Sequence, residues 1–139
     1  MIPKPPWHWV HGFLGFNWLL NGVWMTCFPA HWYSVMPQTE QTGPLNEHFV
    51  RDYGTVFFLI GAAVLLTLAR GTFTRSKHLW VLLFFSAHAG MHVWDMLAGR
   101  LHHDHLTSGF PFVMLPVLAL GVLTHSAFWQ ADPNAGRRE

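Results

Sequence analysis

The chain has 139 residues, of which 51% are hydrophobic, 16% aromatic and only 11% charged. That charge content is less than half of what soluble domains carry, and a formal net charge of +1 excludes a nucleic-acid binder driven by phosphate attraction. A single cysteine, Cys27, excludes an internal disulfide.

The charges avoid four windows, residues 5–39, 53–69, 79–94 and 109–131, each near or above the ~20 residues that cross a bilayer. A soluble bundle needs a polar stripe on every helix, and GTVFFLIGAAVLLTLA and LWVLLFFSA have none. The first predicted helix covers 9–28. Pro29 stops it, and Trp7, Trp9, Trp32 and Tyr33 form aromatic belts at its ends. Lys4 before an apolar run resembles the start of a signal peptide, but no small-x-small cleavage site follows, so a retained helix is expected. The second helix covers 46–69, with Asn46 as N-cap after Pro44 and Glu47 suited to the first turn. The third covers 78–98 and ends at Gly99. The fourth covers 109–128, with Pro111 in its first turn and a kink expected at Pro116. Residues 129–139 read as a mobile cytoplasmic tail.

The fold class expected is all-α: a single four-transmembrane-helix bundle over 1–139 with short loops. Four spans place Lys4, Arg70, Arg75, Lys77, Arg137 and Arg138 on one side and Arg51 and Arg100 on the other. Six against two predicts cytoplasmic termini in a bacterial inner membrane, with the 1–2 and 3–4 loops facing outward. The start of the second helix and the end of the third then lie at similar depth.

These two segments carry the polar residues. His88, His92 and Asp95 are spaced i, i+4, i+7 and form one stripe, about 10 Å long. Ser86, Ala89 and Gly90 beside them allow close helix approach. His48 and Asp52 share a face of the second helix, and Glu47 and Arg51, also i, i+4, suit an ion pair. Asn17 and Asn21 of the first helix, and His31 beyond it, are further polar candidates. Intramembrane carboxylates and imidazoles are costly and usually find a partner inside the bundle.

The leading expectation is a transition-metal site (Cu, Zn or Fe). His48, His88 and His92 would be ligands, Asp95 and Asp52 ligands or supporting bases, and Arg51, Glu47 and Asn46 charge and hydrogen-bond partners. His102, His103 and His105 in RLHHDHL would form a metal-capture loop. The alternatives are an ion-paired lock that fixes helix register, a haem b site held by two histidines, and a His/Asp proton relay. The absence of a C-x-x-C-H motif excludes covalent haem. His125 reads as an interfacial residue, and Met25, Met36, Met91 and Met96 as core filler rather than copper ligands. No serine lies in a nucleophile elbow. A free-standing enzyme is not expected at this length. An accessory or assembly subunit of a larger redox or energy-transducing membrane complex is, with lipids and partner helices as neighbours.

Two resemblances accompany these residues. The spacing of HAGMH and RLHHDHL is similar to the HxxxH and HxxHH boxes of membrane desaturases and hydroxylases, which hold two irons, but the chain is shorter and has no third box. More extensively, residues 28–54, FPAHWYSVMPQTEQTGPLNEHFVRDYG, resemble a group of small bacterial four-helix membrane proteins. In that group a Pro-x-x-Trp-Tyr turn ends the first helix and a Gly-Pro-x-Asn-x-His-Phe-x-Arg-Asp-x-Gly segment opens the second. The matching residues are Gly43, Pro44, Asn46, His48, Phe49, Arg51, Asp52 and Gly54, and the third-helix residues His88, His92 and Asp95 also match. The resemblance implies a four-helix fold and no particular activity.

Overall fold

The computed structural model describes the backbone of residues 5–37, 39–101, 104–125 and 127–130; side chains within these are described except at 104–110, 127 and 130. The described residues form helices and no strands. In order they are α1 (Pro6–Cys27), α2 (Pro29–Val35), a 3-10 turn (Thr39–Thr42), α3 (Glu47–Ala69), α4 (Arg75–Leu97), α5 (Asp104–Leu123) and the short α6 (Ala127–Gln130).

Local chemistry accounts for most boundaries. Pro6 opens α1, where its missing N–H is no loss. Pro29 does more than stop α1: it is the first residue of α2, across a break at Phe28. The Asn46 side chain caps α3 by accepting from the Phe49 amide at 3.1 Å. At the far end of α3, Gly71 takes a left-handed φ of 64°, and the Gly71 and Thr72 amides return to the Leu68 and Thr67 carbonyls. The same closing motif recurs at α4, where Gly99 has φ 71° and the Gly99 and Arg100 amides bond to the Met96 and Asp95 carbonyls. Three helices depart from the expected bounds. α1 starts at Pro6 rather than Trp9. Thr74 caps α4, so that helix starts at Arg75 rather than His78. The last long helix runs from Asp104 to Leu123 rather than over 109–128.

Two helix pairs build the bundle. α1 and α3 pack antiparallel through glycines spaced seven apart on each, Gly15 and Gly22 against Gly61 and Gly54. A Cβ on Gly22 would lie 2.3 Å from the Phe58 backbone nitrogen, and one on Gly61 would lie 2.5 Å from that of Leu19. Side chains are thus excluded and the two backbones touch. α4 and α5 form the second pair, joined near their shared end by His78 and Thr124. Aromatic side chains fill the space between the pairs: Trp18 of α1 stacks on Phe85 of α4 with centroids 4.0 Å apart, and Phe57 of α3 meets Phe85 edge-on at 5.8 Å. Such pairs add ~0.5–1.5 kcal/mol each beyond area burial.

The outward faces are apolar. Trp9, Phe13, Phe16, Leu20 and Val23 form an exposed stripe on α1, Phe49, Val56, Leu59 and Leu66 one on α3, Trp80, Leu83, Met91 and Trp94 one on α4, and Phe112, Leu115, Leu118 and Val122 one on α5. Among the described residues one helix, Glu47–Ala69, is long and apolar enough (mean hydropathy 1.8) to cross a membrane; Pro111–Leu123 is a shorter apolar stretch. Part of the tail expected to be mobile belongs to the core. Trp129 of α6 stacks on Trp7 at 4.9 Å and donates to the Leu123 carbonyl at 2.7 Å. Residues 131–139 lie outside the described residues.

Candidate functional site

The bundle has a distal end, where α3 begins and α4 finishes, and a terminal end, where α1 begins and α5 finishes. Each holds an imidazole cluster, and α4 supplies histidines to both.

At the distal end, the opening of α3 and the closing turns of α4 meet, but through a residue that periodicity did not single out. The Tyr53 hydroxyl lies 2.7 Å from His88 Nδ1. The His92 ring stands edge-on to His88 with centroids 4.7 Å apart, as their i, i+4 spacing on α4 dictates. Both rings are partly buried, and Phe57 closes the inner side of His88 at 6.2 Å.

The other expected ligands are elsewhere. His48 and Asp52 face outward, with 87% and 66% of their side chains exposed, and pair with each other at 3.4 Å. The cause is the glycine seam. Gly54 and Gly61 turn toward α1 and Val50 shares their buried register, so residues two positions away, about 200° round the helix at 3.6 residues per turn, face the opposite way. Tyr53, one position from Gly54, is left at the flank that looks toward α4. Arg51 pairs with Glu47 at 3.0 Å, as the spacing predicts, and reaches neither Asp52 nor Asp95. Asp95 is engaged by Arg100 at 2.7 Å, beside the backbone clasp that ends α4. Asn46 serves as the helix cap.

No group of three or more His, Cys, Asp or Glu residues that could hold a metal ion exists among the described residues. The expected five-residue set is therefore not gathered, and His88 with His92 is the part of it that is. His102 and His103 lie outside the described residues; His105 falls in the first turn of α5 rather than in a loop, and its side chain lies outside the description.

The first-helix candidates have local roles. Asn17 bonds to the Phe13 carbonyl, and Asn21 accepts from the Trp32 indole at 2.9 Å, tying α2 to α1. His31 accepts from the Trp24 indole at 2.9 Å on an exposed surface.

At the terminal end, sequence reasoning missed a fully buried pair. His11 and His78 have no exposed surface. His11 Nδ1 lies 2.7 Å from the Trp7 carbonyl, His11 Nε2 lies 2.9 Å from His78 Nδ1, and His78 Nε2 lies 3.1 Å from the Thr124 hydroxyl. A carbonyl only accepts, so His11 Nδ1 carries its proton. With both rings neutral, His11 Nε2 accepts from His78 Nδ1–H, and His78 Nε2 accepts the one Thr124 hydroxyl proton in competition with the Leu120 carbonyl, 3.2 Å from that oxygen. Every ring nitrogen is satisfied, and the chain of bonds joins α1, α4 and α5. Trp7, Phe73 and Trp129 enclose it.

A signal for this pair exists in the sequence. Trp7, His11, Leu14, Trp18 and Met25 form the buried stripe of α1, so His11 occupies a core position of an otherwise apolar helical repeat. His78 lies seven residues before Phe85 on α4, again in core register. The two clusters are ten residues apart along α4, about 15 Å, with the Trp18–Phe85 stack between.

Comparison of the chain with family models, with curated proteins and with solved structures finds no match.

Proposed function

We propose that this chain is a four-span membrane protein that binds a transition-metal ion at His88 and His92, and that it serves as an accessory or assembly subunit of a larger membrane complex. The spanning part rests on the outward apolar stripes of α1, α3, α4 and α5 and the inward histidines. Only 28% of the most apolar window of α3 is buried within the chain, whereas the core helix of a soluble bundle would be mostly covered. Mean hydropathy understates α1 and α4 because Trp and His, which suit interfaces and polar interiors, lower it. The excess of Lys and Arg in the segments assigned to the terminal end supports a cytoplasmic side for that end.

The metal part is carried by one relationship: Tyr53 engages Nδ1 of His88 while His92 stands alongside. A ligating imidazole normally uses its second nitrogen to bond an orienting group. In the tautomer whose Nδ1–H donates to the Tyr53 oxygen, Nε2 is the nitrogen left to take the metal. Two imidazoles suit Zn, Cu or Fe. The sequence offers further donors, His102, His103 and His105, ten to thirteen residues beyond His92. His48, Asp52 and Asp95 are not in the revised ligand set, because each is paired away from the histidines.

Metal content after loading and desalting of detergent-purified protein tests this reading. Wild type retains about one ion per chain, and His88→Ala/His92→Ala retains none. Equal retention by the two, or none by either, overturns it.

A further inference from the structure

The glycine seam has a consequence on the other side of α3. Because α3 is drawn tightly onto α1, it parts from α4 over their halves nearest the terminal end, and a lateral groove of about 310 Å³ opens there. Ile60, Val64 and Thr67 line it from α3, and Trp80 and Phe84 from α4; Lys77 stands at its mouth. From Ile60 to Thr67 the groove is about 10 Å long at the helical rise, room for a stretch of one extended alkyl chain.

Its mouth is cationic. Lys77 lines it, and Arg70 lies three positions after Thr67 and seven after Ala63, in the register of the groove-lining face of α3; the sequence has no Asp or Glu between Asp52 and Asp95. Lys77 Nζ donates to the Thr72 carbonyl at 2.5 Å and Arg75 to the Thr124 carbonyl at 3.4 Å. Both acceptors are neutral, and no carboxylate among the described residues pairs with any of the three cations. Trp80, 70% exposed, stands one turn below at the level where indoles favour the lipid interface. A basic pocket between spanning helices on the cytoplasmic side matches an anionic lipid headgroup.

We infer that this groove is a binding site for one anionic phospholipid, with an acyl chain between α3 and α4 and the phosphate at Arg70 and Lys77. The site rests on the membrane reading above and is independent of the metal. Lys77 and Arg70 supply the charge that selects the headgroup. Ala63, which also lines the groove, marks the space that the acyl chain fills.

The test uses full-length protein in detergent with phosphatidylglycerol or phosphatidylcholine of matched acyl chains, read by native mass spectrometry. Wild type is expected to retain phosphatidylglycerol about tenfold over phosphatidylcholine. Arg70→Gln/Lys77→Gln brings the ratio near one, and Ala63→Phe lowers retention of both lipids. Equal retention of the two lipids by wild type, an unchanged preference in the Arg70→Gln/Lys77→Gln variant, or unchanged retention in Ala63→Phe, overturns the site. Membrane fractionation of the same cells separates the two failures: a chain recovered without detergent in the soluble fraction removes the spanning reading, whereas a membrane-integral chain with no lipid preference removes the groove alone.

Discussion

His11 and His78 lie 67 residues apart in the chain and share a 2.9 Å hydrogen bond with neither ring exposed. Removing either ring leaves the other with an unsatisfied buried nitrogen, which costs about 1–3 kcal/mol. His11→Phe and His78→Leu should each lower the melting temperature in detergent. The double variant should lose less than the sum, because the second substitution removes the orphan left by the first. Strict additivity would mean that the two rings do not act as one unit.

The glycines of α1 and α3 make opposite predictions by position. Gly22→Ala and Gly61→Ala place a Cβ against backbone, at 2.3 and 2.5 Å, and overpacking of this kind costs roughly 1–3 kcal/mol. Gly90 on α4 has nothing within 4 Å of where a Cβ would stand. Gly90→Ala should therefore be neutral or stabilise by up to ~1 kcal/mol through helix propensity. Thermal melts of the three variants check both signs.

Much of the fold is legible in the sequence because its determinants are local. Asn46 caps α3 and Gly99 ends α4 through contacts within a few residues. What was not legible is which face of α3 turns inward. Periodicity groups His48 with Asp52 and Val50 with Gly54, but the choice between faces depends on Gly15 and Gly22, some forty residues earlier. The same blindness hid Tyr53, whose role needs α4, and the His11–His78 pair, whose members read separately as incidental polar residues in apolar helices.

Tyr53→Phe keeps the ring and removes the oxygen 2.7 Å from His88 Nδ1. Loss of such an orienting bond weakens metal affinity by about 10–100-fold. Competition titration against a chelator of known affinity should show that drop with stoichiometry preserved. Unchanged affinity would remove Tyr53 from the site.

Asp95→Asn breaks the pair with Arg100, in which the carboxylate side chain is 33% exposed and the guanidinium 62%. Pairs this open contribute ~0–1 kcal/mol, so stability should fall by less than 1 kcal/mol. Metal stoichiometry should be unchanged, as it should be in His48→Ala/Asp52→Asn. Loss of metal in either variant would return those carboxylates to the ligand set.

Four crossings of the bilayer are the premise of both the metal site and the lipid groove, and cysteine accessibility in intact cells measures them directly. In a Cys27→Ser background, single cysteines at Glu40, Thr72 and Arg100 are challenged with a membrane-impermeant maleimide. Glu40→Cys and Arg100→Cys should label from outside, and Thr72→Cys only after the membrane is opened. Labelling of Thr72→Cys from the same side as Glu40→Cys would contradict the four-span arrangement.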